Sequence, residues 1–459
     1  MRFFLPFLLV GCDAPANPPA PPLKFPDHNV VFVSFDALQA AHVGHLGYAR
    51  DVTPALDAMA ADGVRFTNAT SVASWTVPAS MSWFTGVFPS EHKMVNKFAV
   101  YTPKLKKPAN LKDLAPELVT LADVFKANGY ATGGFTGNAG VTGGFGYEQG
   151  FDVYSHEKNK FGGFDYSIPK ALEWLAANKD RKFFLFLHGY DAHGQNTPAK
   201  GYDYRFVPKD YDYKFIGTEA EQEALREEGL DRGRVDIRDA DVTFWRAAYD
   251  EKLQRADARF KDFLAAFDKL GVTGKTIFVL TADHGTELHE HKRFDHGFTL
   301  YQELLHVPLV FKLPGGKGVT IADRVSSIDV MPTVMELLAL KVPEKARKQM
   351  HGASLVPAMR GERVRRDCFS ETDYRAFTYK RSVVTPDGWK LVYTLENKTR
   401  ELFDLNADPR ELNNLAAKEK GRADELERKV FAHFKAIGHD LTARRWEVGM
   451  NPVYASQGK

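Results

Sequence analysis

Three short apolar runs, each followed directly by acidic or imidazole side chains, constrain the fold of this chain more than any other feature of its sequence. The runs are residues 29–35 (NVVFVSF), 182–187 (KFFLFL) and 276–280 (TIFVL). Nearly continuous runs of this length are typical of strands buried on both faces of a parallel sheet. Helical patterns separate them, at residues 53–63, 121–129 and 244–270. The alternation predicts an α/β fold with a mostly parallel sheet between helices.

The side chains that follow these runs indicate a site. They are Asp36 after the first run, His188, Asp191 and His193 after the second, and Asp283 with His284 after the third. A single Asp or His at a strand end is most often a turn or cap residue. In open α/β sheets, however, ligands bind beyond the carboxyl ends of the strands. Three strands that deliver such side chains to one edge therefore predict a metal or catalytic site there.

Length and charge limit the number of domains and the kinds of partner that this chain can have. The 459 residues suffice for one large domain and a smaller one. Lys and Arg number 61 against 59 Asp and Glu, so the formal net charge is +2. This balance creates no field that would attract a nucleic acid, and we expect no nucleic-acid partner.

The N-terminus departs from this even composition. Residues 3–10 are mostly apolar, and the following LVGC, which ends at Cys12, resembles the lipobox of bacterial lipoproteins. The run is shorter than the roughly 20 residues of a membrane span, and the alternative is a frayed apolar tail. We expect a signal peptide at 1–11, acylation of Cys12 and a Pro-rich tether at 12–27. The resemblance places the chain at the periplasmic face of a bacterial membrane, and Asp13 favours the inner membrane.

Longer motifs resemble a known family. HVGHLGY, TPALDAMAADGVRFTNA, SWTVPASMSWFTGVFPSEH and TADHGTELHEHKRFDHGFTLYQELLHVPLV follow Asp36 in the order of the sulfatase family, within the alkaline phosphatase superfamily. DVMPTVMELLAL, DGWKL and LFDLNADPRELNNLA resemble its C-terminal signatures. The resemblance implies an alkaline-phosphatase-like catalytic domain at 28–365 and a small antiparallel sheet plus helix at 366–445. Residues 446–459 would form a tail.

The resemblance also implies a metal site. Asp36, Asp283 and His284 match the family's ligands of a divalent cation, and Thr76 would be a further ligand. Oxygen-rich ligation with one imidazole suits Ca²⁺, Mg²⁺ or Mn²⁺, with Zn²⁺ as a further candidate, and we expect one such ion. Ala37 follows Asp36 where sulfatases often carry a second acidic residue, so this site has fewer carboxylates.

The nucleophile position departs from the family's Cys/Ser-x-Pro-x-Arg pattern. It reads Thr76-Val77-Pro78-Ala79-Ser80. Sulfatases convert the cysteine or serine to formylglycine, and threonine is not a substrate for that conversion, so we expect no formylglycine. A threonine hydroxyl bound to a divalent cation has a lowered pKa and can attack phosphorus in line. Threonine here resembles the superfamily's phosphodiesterases, phosphoethanolamine transferases and lipoteichoic acid synthases. The alternative is that Thr76 only caps a helix.

Three histidines complete the implied catalytic set. His193, in DAH, matches the substrate-side histidine of the family, which would stabilise ester oxygens or protonate the leaving group. His296 lies thirteen residues after Asp283, where many members place a lysine or histidine, and His291, eight residues after it, is a second candidate. Asn96 resembles a substrate-binding asparagine. Each of these residues is otherwise an ordinary surface residue.

Two classes of function remain open. The first is a metal-dependent hydrolase or transferase of sulfuric or phosphoric esters that uses Thr76. Its substrate would be a sulfated or phosphorylated small molecule, a glycan, a lipid headgroup or a cell-envelope polymer. The second is a catalytically inactive sulfatase-like protein that binds anionic glycans or a partner. The metal ligands and His193 favour the enzyme, whereas Thr76 and Ser80, in place of Cys and Arg, favour the binding protein.

Overall fold

The computed structural model describes most of the chain. The described residues are 23–94, 114–115, 117–137, 140–157, 162–194, 197, 201–374 and 378–443. Cys12, Asn96 and the predicted tail at 446–459 lie outside them. No helix within the described ranges has the length and apolar character needed to cross a bilayer.

The described residues form fourteen strands. They are β1 Asn29–Phe35, β2 Val64–Thr70, β3 Ala131–Thr136, β4 Val153–His156, β5 Phe183–Gly189, β6 Thr276–Ala282, β7 Glu287–Leu288, β8 Phe294–Asp295, β9 His306–Lys312, β10 Val319–Ser326, β11 Cys368–Tyr374, β12 Thr378–Val384, β13 Trp389–Thr394 and β14 Thr399–Asp404.

Twelve α-helices accompany these strands. They are α1 Pro54–Asp62, α2 Thr76–Thr85, α3 Pro89–His92, α4 Leu121–Ala127, α5 Phe164–Asn178, α6 Glu219–Arg232, α7 Asp239–Asp268, α8 Gln302–Leu305, α9 Val330–Leu337, α10 Glu344–Gln349, α11 Val356–Met359 and α12 Lys420–Ala436.

Eight strands form the central sheet, in the order β10-β2-β9-β6-β1-β5-β3-β4. The three predicted apolar runs are its middle: β1 pairs in parallel with both β5 and β6, and all three strands are buried throughout. Only β9, among the strands of this sheet, is antiparallel to its neighbours β2 and β6. The predicted α/β fold with a mostly parallel sheet is confirmed.

Helices cover both faces of the sheet, as β1 shows. The ring of Phe32 lies 5.4 Å from that of Trp83 on α2. Three residues further on, Phe35 lies 4.8 Å from Phe164 of α5 and 5.7 Å from Phe260 of α7. Successive side chains of a strand point to opposite faces, so these aromatic contacts place α2 on one face and α5 with α7 on the other.

A second, smaller unit follows the central sheet. Strands β11 to β14 pair antiparallel in chain order, and α12 packs on this sheet. Their shared core contains Leu391 and Leu402 from the strands and Leu426, Val430 and Phe434 from the helix. The predicted C-terminal antiparallel sheet with a closing helix is confirmed. The expected domain boundary at residue 366 falls just before β11.

Candidate active site

Three parallel strands bring a cluster of ionisable side chains to one sheet edge. Asp36 directly follows β1, His188 lies near the end of β5 and Asp283 directly follows β6. All three side chains are buried, and each offers a ligand atom within 4.8 Å of the others. Nε2 of His188 lies 3.2 Å from Oδ2 of Asp36. Because β1 lies between β5 and β6, its neighbours on both sides contribute to this cluster.

The two carboxylates have oxygens without hydrogen bonds. Oδ1 of Asp36 and Oδ2 of Asp283 are buried and accept no hydrogen bond from the described residues. The other oxygen of Asp283 accepts from the backbone N–H groups of Ala37, at 3.0 Å, and His284, at 2.9 Å. Burial and the neighbouring charge of Asp283 raise the pKa of Asp36 to about 6. Buried oxygens that lack donors fit a divalent cation, because it would compensate both charges.

His284 is oriented as a ligand would be. Its Nδ1 donates to the carbonyl oxygen of Gly285 at 2.6 Å, so Nε2 carries the free lone pair. That nitrogen lies 3.4 Å from Oδ2 of Asp283 and 3.8 Å from Oδ1 of Asp36. The structure therefore brings together Asp36, Asp283 and His284, as the sequence predicted. It adds His188, which was noticed after its strand but not included among the ligands.

Thr76 is the first residue of α2, and its hydroxyl faces the cluster. Oγ1 lies 3.2 Å from Nε2 of His284 and 3.5 Å from Oδ2 of Asp36. The residue in the N-cap position is Trp75, not Thr76. Thr76 is 4% exposed, so the hydroxyl is held in place by its surroundings. It lies where a nucleophile or a metal ligand would act.

Ser80 lies one turn further along α2 and faces inward. Its hydroxyl donates to the carbonyl oxygen of Thr76 at 2.5 Å and lies 3.1 Å from the hydroxyl of Tyr147. Tyr147 in turn donates to the carbonyl oxygen of Val77 at 2.7 Å. These hydrogen bonds stabilise the first turn of α2. The position that the resemblance assigns to an arginine therefore holds a neutral group that fixes the helix.

His193 and His296 lie beside the cluster. The ring of His296 lies 4.4 Å from that of His284 and 4.7 Å from that of His193. The ring of His193 stacks on Tyr190 at 4.1 Å. Burial, and next the proximity of His296, hold the pKa of His193 well below its ordinary value. His193 is therefore a neutral imidazole at neutral pH.

The profile of the sulfatase family matches residues 28–340, which is more than half of the chain. This chain belongs to the sulfatase family. A second profile, for the C-terminal part of N-sulphoglucosamine sulphohydrolase, matches residues 289–436, which include the small sheet and α12.

Curated relatives resemble this family member along most of its length. It is 23% identical to arylsulfatase K of Bos taurus over 456 residues, covering 88% of this chain and 81% of that protein. It is 24% identical to an ulvan-active sulfatase of Formosa agariphila over 476 residues, covering 91% of this chain and 83% of the relative. Among solved structures, the phosphonate monoester hydrolase of Agrobacterium radiobacter superposes with a TM-score of 0.70 at 19% identity. That match covers 90% of this chain and 96% of the other, and it shows a shared fold.

Two charged residues that sequence reasoning missed extend this sulfatase-family site. Nδ1 of His296 contacts the Asp295 carboxylate, whose Oδ2 lies 3.4 Å from Nη1 of Arg226 on α6. Burial opposes ionisation of Asp295, but the charges of His296 and Arg226 hold its pKa far below the ordinary value. Asp295 could have been noticed as the neighbour of His296. Arg226 gave no signal, because it is one of many charges in residues 218–241.

Lys252 supports the loop that carries His193. From α7, its ammonium donates to the carbonyl oxygen of His193 at 2.7 Å and also to that of Gly194. Burial lowers the pKa of Lys252 to about 7. Within the described part of the chain, the side-chain hydrogen bonds of Lys252 go to these two carbonyl oxygens, so the residue acts by holding the backbone of the loop.

His291 lies in a different cluster. Its Nδ1 lies 2.7 Å from Oε1 of Glu303, its Nε2 lies 3.2 Å from the carbonyl oxygen of Glu411, and its ring stacks on Tyr301 at 3.8 Å. Of the two alternative histidines after Asp283, His296 is therefore the one that contacts His193 and His284. Asn96, the predicted substrate residue, lies outside the described residues.

Proposed function

We propose that this chain is a metal-dependent ester hydrolase or transferase of the sulfatase family that uses the Thr76 hydroxyl as its nucleophile. The position of Oγ1, 3.2 Å from His284 and 3.5 Å from Asp36, carries this proposal. A threonine that served only to begin a helix would have no need of two buried ionisable partners. The esters are sulfuric or phosphoric.

Asp36, Asp283, His284 and Thr76 would hold one divalent cation, with His188 within reach. The two unsatisfied carboxylate oxygens favour Ca²⁺, Mg²⁺ or Mn²⁺ over Zn²⁺. The ion would supply Lewis acidity that lowers the pKa of a bound hydroxyl and offsets negative charge on the ester. The protein contributes the placement: α2 and the ends of β1 and β6 hold Oγ1 and the carboxylates within a few ångströms of each other.

His193 and His296 would act on the ester oxygens. His193 is neutral, so its ring N–H can donate a hydrogen bond without a charge of its own. His296 turns Nδ1 towards Asp295, which leaves Nε2 for the substrate. Donors that face the developing charge stabilise the transition state more than the ground state. Lys252 keeps His193 in position.

Two observations bear on the substrate. The ulvan-active relative supports a sulfated glycan, whereas a threonine nucleophile without formylglycine supports a phosphoric ester. The fold is shared with a phosphonate monoester hydrolase and does not decide between them. Acylation of Cys12, suggested by LVGC, would place the site at the periplasmic face of a membrane, where glycans, lipid headgroups and cell-envelope polymers are available.

The second candidate is an inactive sulfatase-like protein that binds anionic glycans or a partner. Ser80 favours it, because this residue braces α2 and adds no charge near the nucleophile position. Such a protein would bind the cation and an anionic glycan but would turn over no ester.

The test is turnover of aryl phosphodiester, phosphomonoester and sulfate substrates by the full chain with each of Ca²⁺, Mg²⁺, Mn²⁺ and Zn²⁺. Metal-dependent turnover of one ester class, lost in Thr76→Ala, is the expected result. Thr85→Ala is the matched control, because Thr85 is a buried threonine of the same helix whose hydroxyl donates to the Met81 carbonyl at 2.8 Å. Metal binding without turnover of any ester would favour the binding protein.

A further inference from the structure

We propose that β11, the outer strand of the small antiparallel sheet, positions Thr76 and His296 relative to each other. Its positioning residues are Ser370, Thr372 and Tyr374. These three side chains alternate along the strand, so they share one face, and all are buried. The inference deepens the proposed function and rests on it for the chemistry of Thr76 and His296. The placement of these residues can be measured without turnover.

β11 uses an edge that its own sheet leaves free. It is the first strand in the order β11-β12-β13-β14, so β12 pairs with one of its edges. An edge strand presents unpaired backbone groups, and here the N–H of Glu371 donates to the carbonyl oxygen of Val72 at 2.9 Å. Val72 belongs to residues 71–75, which connect β2 to α2. The small sheet is therefore joined through the backbone to the segment that leads to Thr76.

Ser370 fixes the start of the same segment. Its hydroxyl donates to the carbonyl oxygen of Ser71 at 2.6 Å. The hydroxyl of Ser71 in turn donates to the carbonyl oxygen of Asp283 at 2.5 Å. Ser71 is fully buried, so water does not replace either hydrogen bond. Two serines thus connect the small sheet to the segment before Thr76 and to the end of β6 that carries Asp283.

Thr372 holds the loop that carries His296. Its hydroxyl donates to the carbonyl oxygen of Gly297 at 2.6 Å, and Gly297 directly follows His296 in the chain. Gly297 has φ +101°, a conformation that glycine adopts without steric cost. Thr372 is 2% exposed, so its hydrogen bond is also shielded from water. The backbone beside His296 is therefore fixed by the same strand that fixes the segment before Thr76.

The ring of Tyr374 contacts both segments. It meets the ring of Trp75, the residue before Thr76, edge to face at 5.7 Å between centroids. It also lies so close to Gly297 that a Cβ atom there would be 2.4 Å from Cδ2 of the tyrosine. Tyr374 therefore fills the space between the residue before Thr76 and the residue after His296. One rigid ring sets the separation of these two neighbours.

The consequence for catalysis is a fixed geometry between two groups that act on the same ester. Thr76 would attack it, and His296 would face its oxygens. Displacement of a catalytic group by about 1 Å can cost roughly 100-fold in rate. β11 is paired with β12 along its whole length, so its three contacts restrict such displacement. The small sheet would therefore contribute to the rate of the reaction.

The kinetic test removes one hydroxyl at a time from the full chain. Ser370→Ala and Thr372→Val should each lower kcat by about 10-fold or more, because the group that each hydroxyl positions is displaced. KM should stay within about twofold, since these side chains do not touch the substrate. Thr372→Ser restores the hydroxyl and should recover most of the wild-type kcat.

Two controls come from the same sheet. Ser382 lies directly opposite Ser370 in the ladder, is buried, and its hydroxyl has no hydrogen-bond partner among the described residues. The hydroxyl of Thr378 donates to Oε1 of Glu396 at 2.7 Å, within the small sheet. Ser382→Ala and Thr378→Val should keep the wild-type kcat, although Thr378→Val should lower the melting temperature about as much as Thr372→Val does. Equal losses of kcat in Thr378→Val and Thr372→Val would overturn the positioning role.

Histidine NMR separates this inference from the proposed function. The full chain is labelled with ¹⁵N-histidine, and His296→Gln identifies the ring signals of His296. Thr372→Val should shift these signals, and Thr378→Val should leave them in place. Unshifted signals in a folded Thr372→Val chain would overturn the positioning role even if Thr76 is essential. A Thr76→Ala chain that keeps its turnover refutes the proposed nucleophile, and the His296 signals then still decide whether β11 places this histidine.

Discussion

The hydroxyl oxygen of Thr76 lies 3.2 Å from Nε2 of His284, where the first turn of α2 meets the end of β6. The other ring nitrogen of His284 donates to the Gly285 carbonyl, so the nitrogen that faces Thr76 is free to accept a proton or bind a metal. This hydrogen bond to a backbone carbonyl thus fixes which ring nitrogen of His284 carries the proton and which one faces Thr76. This arrangement makes the Thr76 side chain the most informative one to change.

Thr76→Ser should keep most of the activity and Thr76→Ala should lose nearly all of it. Serine preserves the hydroxyl that faces His284, whereas alanine removes it. Loss of a covalent nucleophile typically lowers kcat by about 10³-fold or more. Steady-state kinetics with the best substrate measure both variants. Equal activities for Thr76→Ser and Thr76→Ala would show that the hydroxyl takes no part.

Asp283→Asn should abolish tight binding of the divalent cation that we propose for Asp36, Asp283 and His284. The amide keeps the oxygen that accepts from Ala37 and His284 but replaces the unsatisfied Oδ2 with a nitrogen. The affinity should fall by about 100-fold or more, because a neutral amide cannot compensate the ion. Titration calorimetry measures this with Mn²⁺ or Ca²⁺. Asp257→Asn, a buried carboxylate on α7 that accepts from Ala55 and Leu56, should bind as the wild type does.

The sheet and the clustering of Asp36, Asp283 and His284 were readable from the sequence because their causes are local. Continuous apolar runs form strands that are buried on both faces, and parallel pairing brings their carboxyl ends to one edge. Asp36 and Asp283 follow such strands directly, so their positions depend on little else. By contrast, the apolar content of β9 does not reveal that it runs antiparallel between β2 and β6.

The surroundings of the cluster could not be read in this way. His291 and His296 belong to the same polar loop, and their spacing from Asp283 does not decide between them. The β7–β8 hairpin decides, because it pairs Glu287 with Asp295 and so returns the chain to the site at residue 296. Arg226 reaches Asp295 from α6, and Lys252 reaches the His193 loop from α7. Such contacts depend on how distant helices pack.

Lys252→Met should slow turnover and weaken the fold. The variant leaves the carbonyl oxygens of His193 and Gly194 without their ammonium donor, at a cost of about 1–3 kcal/mol in the free energy of unfolding. His193 should then become mobile, and kcat should fall by about 10-fold or more, because misplaced donors lose their effect on the transition state. Lys261→Met, an exposed lysine of the same helix, should change neither quantity. An unchanged kcat in a destabilised Lys252→Met chain would show that the residue is only structural.

The cluster of Glu287, His291 and Glu303 should make stability fall as pH rises above neutrality. Burial alone would lower the pKa of His291, but its hydrogen bond with Glu303 and the charge of that residue raise it to about 9. Burial and the charge of Glu303 raise the pKa of Glu287 to about 8. Both groups bind protons more tightly in the folded chain than in the unfolded chain. Their contribution is therefore complete below the unfolded pKa values and is lost as pH rises through the folded values.

Urea unfolding, followed by tryptophan fluorescence with chelator present, should show this loss. The free energy of unfolding should fall by about 1–3 kcal/mol between pH 7 and pH 9, since each pKa unit corresponds to about 1.4 kcal/mol. Glu287→Gln keeps an oxygen that can accept from the backbone N–H groups of His291 and Arg293 but cannot ionise, so its slope should be shallower. Glu344→Gln, at an exposed position, should retain the wild-type slope. If Glu287→Gln and the wild-type chain lost stability in parallel, the pH dependence would have to arise outside this cluster.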